Sequence, residues 1–183
     1  MRKIVANFFI SLDGVVERPE QWHFAYFNDE MGEAVGAQMA ASDTMLLGRV
    51  TYQEFAGFWP DKTSAEIDIA DYMNNTPKLV VSNTLDAVEW QNSTLIRGNL
   101  AEQLTKLKNQ PGKEIGTVGS ATLVRSLIRE GLLDELRLLL HPIVVGKGAR
   151  LFEEGIGQVP LKLVASRTFS TGVLSLTYAP AGA

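Results

Sequence analysis

Cysteine is absent from this chain. Without thiols there can be no disulfide, no thiolate zinc or iron–sulfur site, and no cysteine nucleophile. Histidine is nearly absent. His23 and His141 are the only two, and no His-x-x-x-His pair exists, which excludes a histidine-rich zinc site. No metal is expected. Positive charge is not in excess either: 17 Lys and Arg stand against 21 Asp and Glu, a net charge of −4. The basic footprint that nucleic-acid binding requires is therefore missing. No apolar run approaches the roughly 20 residues of a membrane span. The opening stretch MRKIVANFFISLDG begins basic, but Asn7 and Asp13 interrupt it and no small-residue cleavage site follows. A cytoplasmic protein with neither membrane nor nucleic acid as partner is expected. Neither G-x-G-x-x-G nor a Walker A motif occurs, so the usual dinucleotide and P-loop signatures fail.

What is present is an ordinary globular composition. The 183 residues are 45% apolar and 21% charged, enough for one domain over 1–183 that needs no staples. Strand and helix patterns alternate. Residues 3–10 (KIVANFFI) read as a buried strand. Residues 28–41 read as a helix capped by Asn28, with Met31, Val35 and Met39 on one face. Residues 44–47 form a short strand, and a helix with Tyr52, Phe55 and Trp59 on one side follows. Ser64 is a candidate cap for a short helix ending before Pro77. Residues 78–82 read as a strand, and 88–97 hold one or two more. Asn99 opens a helix with Leu100, Leu104 and Leu107 at helical spacing, and Glu102 completes a capping-box pattern. Residues 114–118 form a strand. Gly119 to Thr122 open a helix with Leu123, Val124, Leu127 and Ile128 inward, ended by Gly131. Residues 135–145 read as one long strand, in which Pro142 must sit where no ladder donor is needed. Runs at 161–169 and 173–179 flank Ser170-Thr171-Gly172 as a hairpin. The fold class is α/β: a mixed, mostly parallel sheet flanked by helices, with a C-terminal antiparallel hairpin.

In such sheets ligands bind beyond the carboxyl ends of the strands. The segments found there are Ser11-Leu12-Asp13-Gly14, Gly48-Arg49-Val50-Thr51, Ser82-Asn83-Thr84 and Gly119-Ser120-Ala121-Thr122. Two are strand–Gly–helix junctions, where free N–H groups and the helix dipole attract phosphate. Arg49 is suited to pair with a phosphate dianion, with Ser82 and Thr84 as further donors. Taken one at a time, each junction is better read as a helix cap. Four at one sheet edge favour a site for a dinucleotide carrying an additional phosphate.

These pieces occur in a familiar order. Ser11-Leu12-Asp13-Gly14, Leu47 to Tyr52, Leu79 to Ser82, Val118 to Leu123, Gly131 to Leu136, and Pro142 to Gly148 with Leu151-Phe152 run through most of the chain. In this ordered set the chain resembles the dihydrofolate reductase superfamily, in particular the group related to the bacterial riboflavin-biosynthesis reductase domain. The resemblance implies a dihydrofolate reductase-like fold and NADPH as cofactor. Gly48, Arg49 and Thr51 match the phosphate-binding junction. Ser82, with Asn83, falls where the adenosine 2′-phosphate is held. Gly119, Ser120, Ala121, Thr122 and Leu123 match the pyrophosphate loop. The family often carries Gly-Gly there, so the Gly119-Ser120 pair leaves a non-proline cis peptide open. Ser11 to Val15 would lie beside the nicotinamide, with Gly14 and Val15 against the cofactor and Asp13 as candidate proton donor.

The substrate half is weaker. Trp22 and Asp29 invite comparison with the family's Trp and substrate carboxylate, although the spacing differs. Glu30 reads better as a helix N-terminal charge. Lys147, between two glycines, is a candidate for an anionic substrate or a solvated loop lysine, and Arg150 is a further one. His23 sits in an aromatic cluster with Trp22, Phe24, Tyr26 and Phe27 that packs as core or walls a planar substrate. His141 reads as structural. The implied activity is NADPH-dependent hydride transfer to a small pyrimidine-like, pterin-like or carbonyl substrate, 5-amino-6-(5-phosphoribosylamino)uracil being the family's own. The alternatives are a non-catalytic NADPH- or nucleotide-binding module and a scaffold with vestigial pockets. A homodimer is also expected from the resemblance and from the apolar C-terminal strands.

Overall fold

A single eight-stranded sheet organises the computed structural model, which describes residues 1–182. The strands are β1 (Ile4–Ser11), β2 (Ser42–Gly48), β3 (Lys78–Val81), β4 (Ser93–Ile96), β5 (Glu114–Thr117), β6 (Glu135–His141), β7 (Leu161–Thr168) and β8 (Leu174–Pro180). Their order is β4-β3-β2-β5-β1-β6-β8-β7. The first six strands pair in parallel, and β8 pairs antiparallel with both β6 and β7. This is the mixed, mostly parallel sheet with a C-terminal hairpin that strand–helix alternation predicts.

The helices are α1 (Asp29–Ala41), α2 (Arg49–Ala56), α3 (Ala70–Asn75), α4 (Leu100–Lys108) and α5 (Ala121–Arg129). Strand periodicity sorts them onto two faces. Ile4, Ala6, Phe8 and Ile10 of β1 pack with Leu104 of α4 and Leu123, Val124 and Leu127 of α5. The opposite face carries α1, α2 and α3. There Met45, Leu47 and Val80 pack with Tyr52, Met73 and Trp90, and Phe9 and Leu139 pack with Met31. Asn28 caps α1 by accepting from the Met31 amide at 3.1 Å. Ser120 caps α5, and Asn99 caps α4 by accepting from the Glu102 amide.

Three local expectations change, and a fourth is narrowed. The strand at 135–145 stops at His141, because Pro142 supplies no amide to a ladder. The helix before Pro77 begins only at Ala70. Ser64 instead accepts from the Asp71 amide at 3.2 Å, while 63–67 form turns closed on the Thr63 carbonyl. The Glu102 carboxylate does not complete a capping box but pairs with Lys106 at 2.6 Å, one turn on. Segment 88–97 holds one strand, β4.

Candidate functional site

Every parallel strand ends at the same edge of the sheet, and the register places the loops that follow side by side. Gly48 lies opposite Val81, so Arg49 and Ser82 leave neighbouring strands together. Ser11 lies opposite His141, so the turn after β1 meets the loop after β6.

The β2–α2 and β5–α5 junctions interlock. The Gly48 amide donates to the Gly119 carbonyl at 3.1 Å. A Cβ on Gly48 would sit 2.5 Å from Ser120 Oγ and 2.9 Å from its backbone nitrogen. One on Gly119 would sit 2.7 Å from Thr51 Oγ1, and Gly119 holds φ +146°. Both positions thus demand glycine, one by contact alone and one by contact and conformation. The Gly119–Ser120 peptide is cis. Thr117 Oγ1 bonds the Gly119 backbone from below. The result sets the N-termini of α2 and α5 against each other, and their first-turn amides have no intrahelical acceptors.

The charged and hydroxyl groups at this edge fall into place as follows. Arg49 is exposed, bonds only Gln53 Oε1 at 3.0 Å, and forms no ion pair among the described residues. Ser82 is buried, and its oxygen accepts from the Thr84 and Leu85 amides at 3.1 and 3.0 Å. Its own proton stays free for Thr84 Oγ1, 3.4 Å away, or for an outside acceptor. Asn83 Oδ1 accepts from the Gly98 amide, tying the turn after β3 to the one after β4. Ala121 and Thr122 lie in the open first turn of α5. Leu123 does not: its amide is taken by Ser120 Oγ and its side chain is in the core.

Asp13 stands between β1 and the loop after β6. Its carboxylate accepts from Ser11 Oγ at 2.6 Å and from the Val145 and Gly146 amides at 3.0 and 2.8 Å. Those donors hold its pKa at about 2, well below the ordinary value. Arg150 donates to the Asp13 carbonyl and lies 3.7 Å from its carboxylate. Glu17 accepts from the Ala149 amide. Gly14, at φ +85°, turns the chain so that Val15 bridges to Arg150; Val15 itself is fully buried. Loop 142–150 is therefore clamped to 11–17, and Lys147 stands exposed at its tip.

On the α1 side, Trp22, His23 and Tyr26 cover His141. Asp29 is exposed in the first turn of α1 and is not brought to this cluster. Glu30 accepts from the Ser170 amide and hydroxyl at 2.7 Å each, from Asn28 and from Arg167. These bonds, the Ser170 amide first, hold it at about 2 and latch α1 to the β7–β8 turn. His141 was read from the sequence as structural. It is the last residue of its strand and lies opposite Ser11.

The family model described as the RibD C-terminal domain matches residues 2–175. The chain is 32% identical over 180 residues to the uncharacterized protein YyaP of Bacillus subtilis (strain 168), covering 97% of this chain and 94% of the relative. Among solved structures, a protein from Shewanella sp. PV-4 described as a riboflavin biosynthesis protein superposes with a TM-score of 0.78 at 21% identity, covering 97% of this chain and 98% of that one. Dihydrofolate reductase from Enterococcus faecalis, complexed with NADP(H), superposes with a TM-score of 0.64 at 14% identity, covering 98% and 96%.

Proposed function

Because the chain belongs to the RibD C-terminal domain family, a reductase family with the dihydrofolate reductase-like fold, we propose that it is an NADPH-dependent reductase acting on a small molecule. The observation that carries this reading is the interlocked pair of glycine junctions, beside which the Arg49 guanidinium lacks a carboxylate partner. Two adjoining helix N-termini form an anion cradle for a pyrophosphate. Arg49 and the free Ser82 proton suit the further phosphate that distinguishes NADPH from NADH. These residues fit the cofactor. Gly48, Thr51, Gly119, Ser120, Ala121 and Thr122 would line its phosphates, and Ser11 to Gly14 its nicotinamide end. When bound, it supplies a hydride to a C=N or C=O carbon.

The chain's own part is positioning. Asp13 is ionised at neutral pH, so it fixes loop 142–150 against the reaction edge rather than delivering a proton, and water is the proton source. The substrate lies among pyrimidine-like, pterin-like and carbonyl compounds, with 5-amino-6-(5-phosphoribosylamino)uracil as one member. A second reading, a non-catalytic NADPH-binding module, draws on the substrate half, where Asp29 points to solvent and Glu30 is consumed by Ser170. We further propose a homodimer formed through the exposed C-terminal edge. The deciding experiment is calorimetric titration with NADPH and NADH. Micromolar NADPH binding with weaker NADH supports the reductase; no binding of either overturns it. Oxidation of NADPH by any member of a panel of pyrimidine, pterin and carbonyl compounds separates the enzyme from the module.

A further inference from the structure

The α-helices of this chain differ in the charge of their first turns. Asp29 and Glu30 stand in that of α1, Asp71 in that of α3 and Glu102 in that of α4. A carboxylate there complements the positive end of the helix dipole. The first turns of α2 and α5 carry none. These are the two helices whose N-termini meet where Gly48 and Gly119 interlock. Acidic residues are thus left out where two helices converge on one anion cradle. Helix α2 goes further. It opens with Arg49, a cation set against the positive end of its own helix, an unfavourable placement that a bound anion relieves.

This arginine is held by an amide rather than a carboxylate. Arg2, Arg125, Arg137, Arg150 and Arg167 each lie against a carboxylate. Arg49 Nη1 instead donates to Gln53 Oε1 at 3.0 Å, and among the described residues Arg49 forms no ion pair. Positions 49 and 53 lie one turn apart on the same face of α2, so the side chain at 53 is the one that meets the guanidinium. Glu54, the acid of this helix, falls about 100° further round the axis. An amide oxygen accepts the bond and fixes the direction of the guanidinium, yet carries no net charge. The full positive charge of Arg49 stays available to a ligand. A glutamate at 53 has the same length and would orient Arg49 as well, but it would pair with that charge and repel a phosphate dianion.

We propose that Gln53 is a positioning residue for cofactor choice: its neutral amide oxygen holds the Arg49 guanidinium beside the phosphate cradle without cancelling its charge, so that the chain takes the dinucleotide bearing a 2′-phosphate over the one without it. This rests on the reductase reading and deepens it.

The test is calorimetric titration of the full chain with NADPH and NADH, and with adenosine 2′,5′-bisphosphate and 5′-AMP, which carry the same difference without a nicotinamide. Both test substitutions fall on an exposed position of α2. Gln53→Glu is expected to lower the preference for NADPH over NADH about five-fold while NADH affinity stays within about two-fold. Gln53→Met, which removes the acceptor and adds no charge, is expected to lower it about two-fold. In an Arg49→Ala background, Gln53→Glu should cost only about two-fold, because repulsion of the phosphate remains and pairing with Arg49 does not. The two adenosine phosphates should follow the dinucleotides. A preference unchanged in Gln53→Glu, an equal loss for NADH, a five-fold loss that persists without Arg49, or adenosine phosphates that do not respond overturns the proposal. The two readings fail separately. A wild-type chain that prefers NADPH and keeps that preference in Gln53→Glu overturns this inference alone, and absence of NADPH binding overturns the reductase reading with it.

Discussion

Removing the Arg49 guanidinium is expected to weaken NADPH by ten-fold or more, since a charge-assisted bond to phosphate contributes about 1.5–3 kcal/mol. NADH lacks the extra phosphate and should lose far less. Titration of Arg49→Ala with both nucleotides checks this, and equal weakening would move Arg49 to the pyrophosphate. Asp13 and Glu30 carry a different consequence. Both are held at about 2, below ordinary values of 3.8 and 4.5. A carboxyl depressed on folding contributes stability above its ordinary value and loses it as pH falls through the folded one. Acid unfolding should therefore draw on this pair between about pH 4.5 and 2. A double variant, Asp13→Asn with Glu30→Gln, is expected to show a flatter Tm against pH across that window. Parallel curves would remove the pair from acid stability.

At the level of elements, the β2–α2 and β5–α5 junctions act as one part. Gly119→Ala combines a left-handed φ with a clash at Thr51, a strain of about 1–3 kcal/mol, and is expected to abolish NADPH binding while lowering Tm modestly. Wild-type affinity in that variant would show that the junction tolerates a side chain. Gly48→Ala should behave alike although its φ of −74° suits any residue, because contact with Ser120 alone forbids it. The glycines and hydroxyls that mark these junctions stand in the sequence as short local motifs, and so the strand order of motifs and the edge they share were readable there. Pairing across the chain was not. Nothing local announces that Asp13 accepts from amides 132 and 133 residues away, or that Glu30 meets the hairpin turn at Ser170. Segment 64–69 misled because its Ser, Asp and Ile pattern suits a helix start, while turns closed on Thr63 satisfy the same backbone groups.

Across the whole molecule, the sheet's two edges differ. β4 is four residues long, whereas β7 has eight and exposes Leu163 and Val164 by 50% and 56%. A long apolar edge invites a partner strand or face. Light scattering after size exclusion is expected to give a dimer for the wild-type chain and a monomer for Leu163→Lys with Val164→Lys. A wild-type monomer would leave this edge free, and a dimer persisting in the variant would place the interface elsewhere. Toward the β4 edge a buried cation ties several elements together. Lys78 opens β3 fully buried, its Nζ donating to the carbonyls of Asn74, Thr76 and Gln91 and lying 4.1 Å over the Trp90 ring. Burial draws it down to about 8. Lys78→Met strands the Thr76 and Gln91 carbonyls, while that of Asn74 keeps the Gln91 and Asn92 side-chain amides, and is expected to cost about 1–3 kcal/mol, read from the shift in urea midpoint. An unchanged midpoint would show that the Thr76 and Gln91 carbonyls find other donors.

That cage also turns one amine into a clock. Acylating reagents reach a lysine only when its nitrogen is exposed and unprotonated, so Lys78 can be labelled only while its carbonyl cage stands open. Mass spectrometry of acetylation at Lys78, timed against the solvent-facing Lys106 and Lys147, would report how often the segment from Asn74 to Gln91 comes apart, in a protein that carries no cysteine for the purpose.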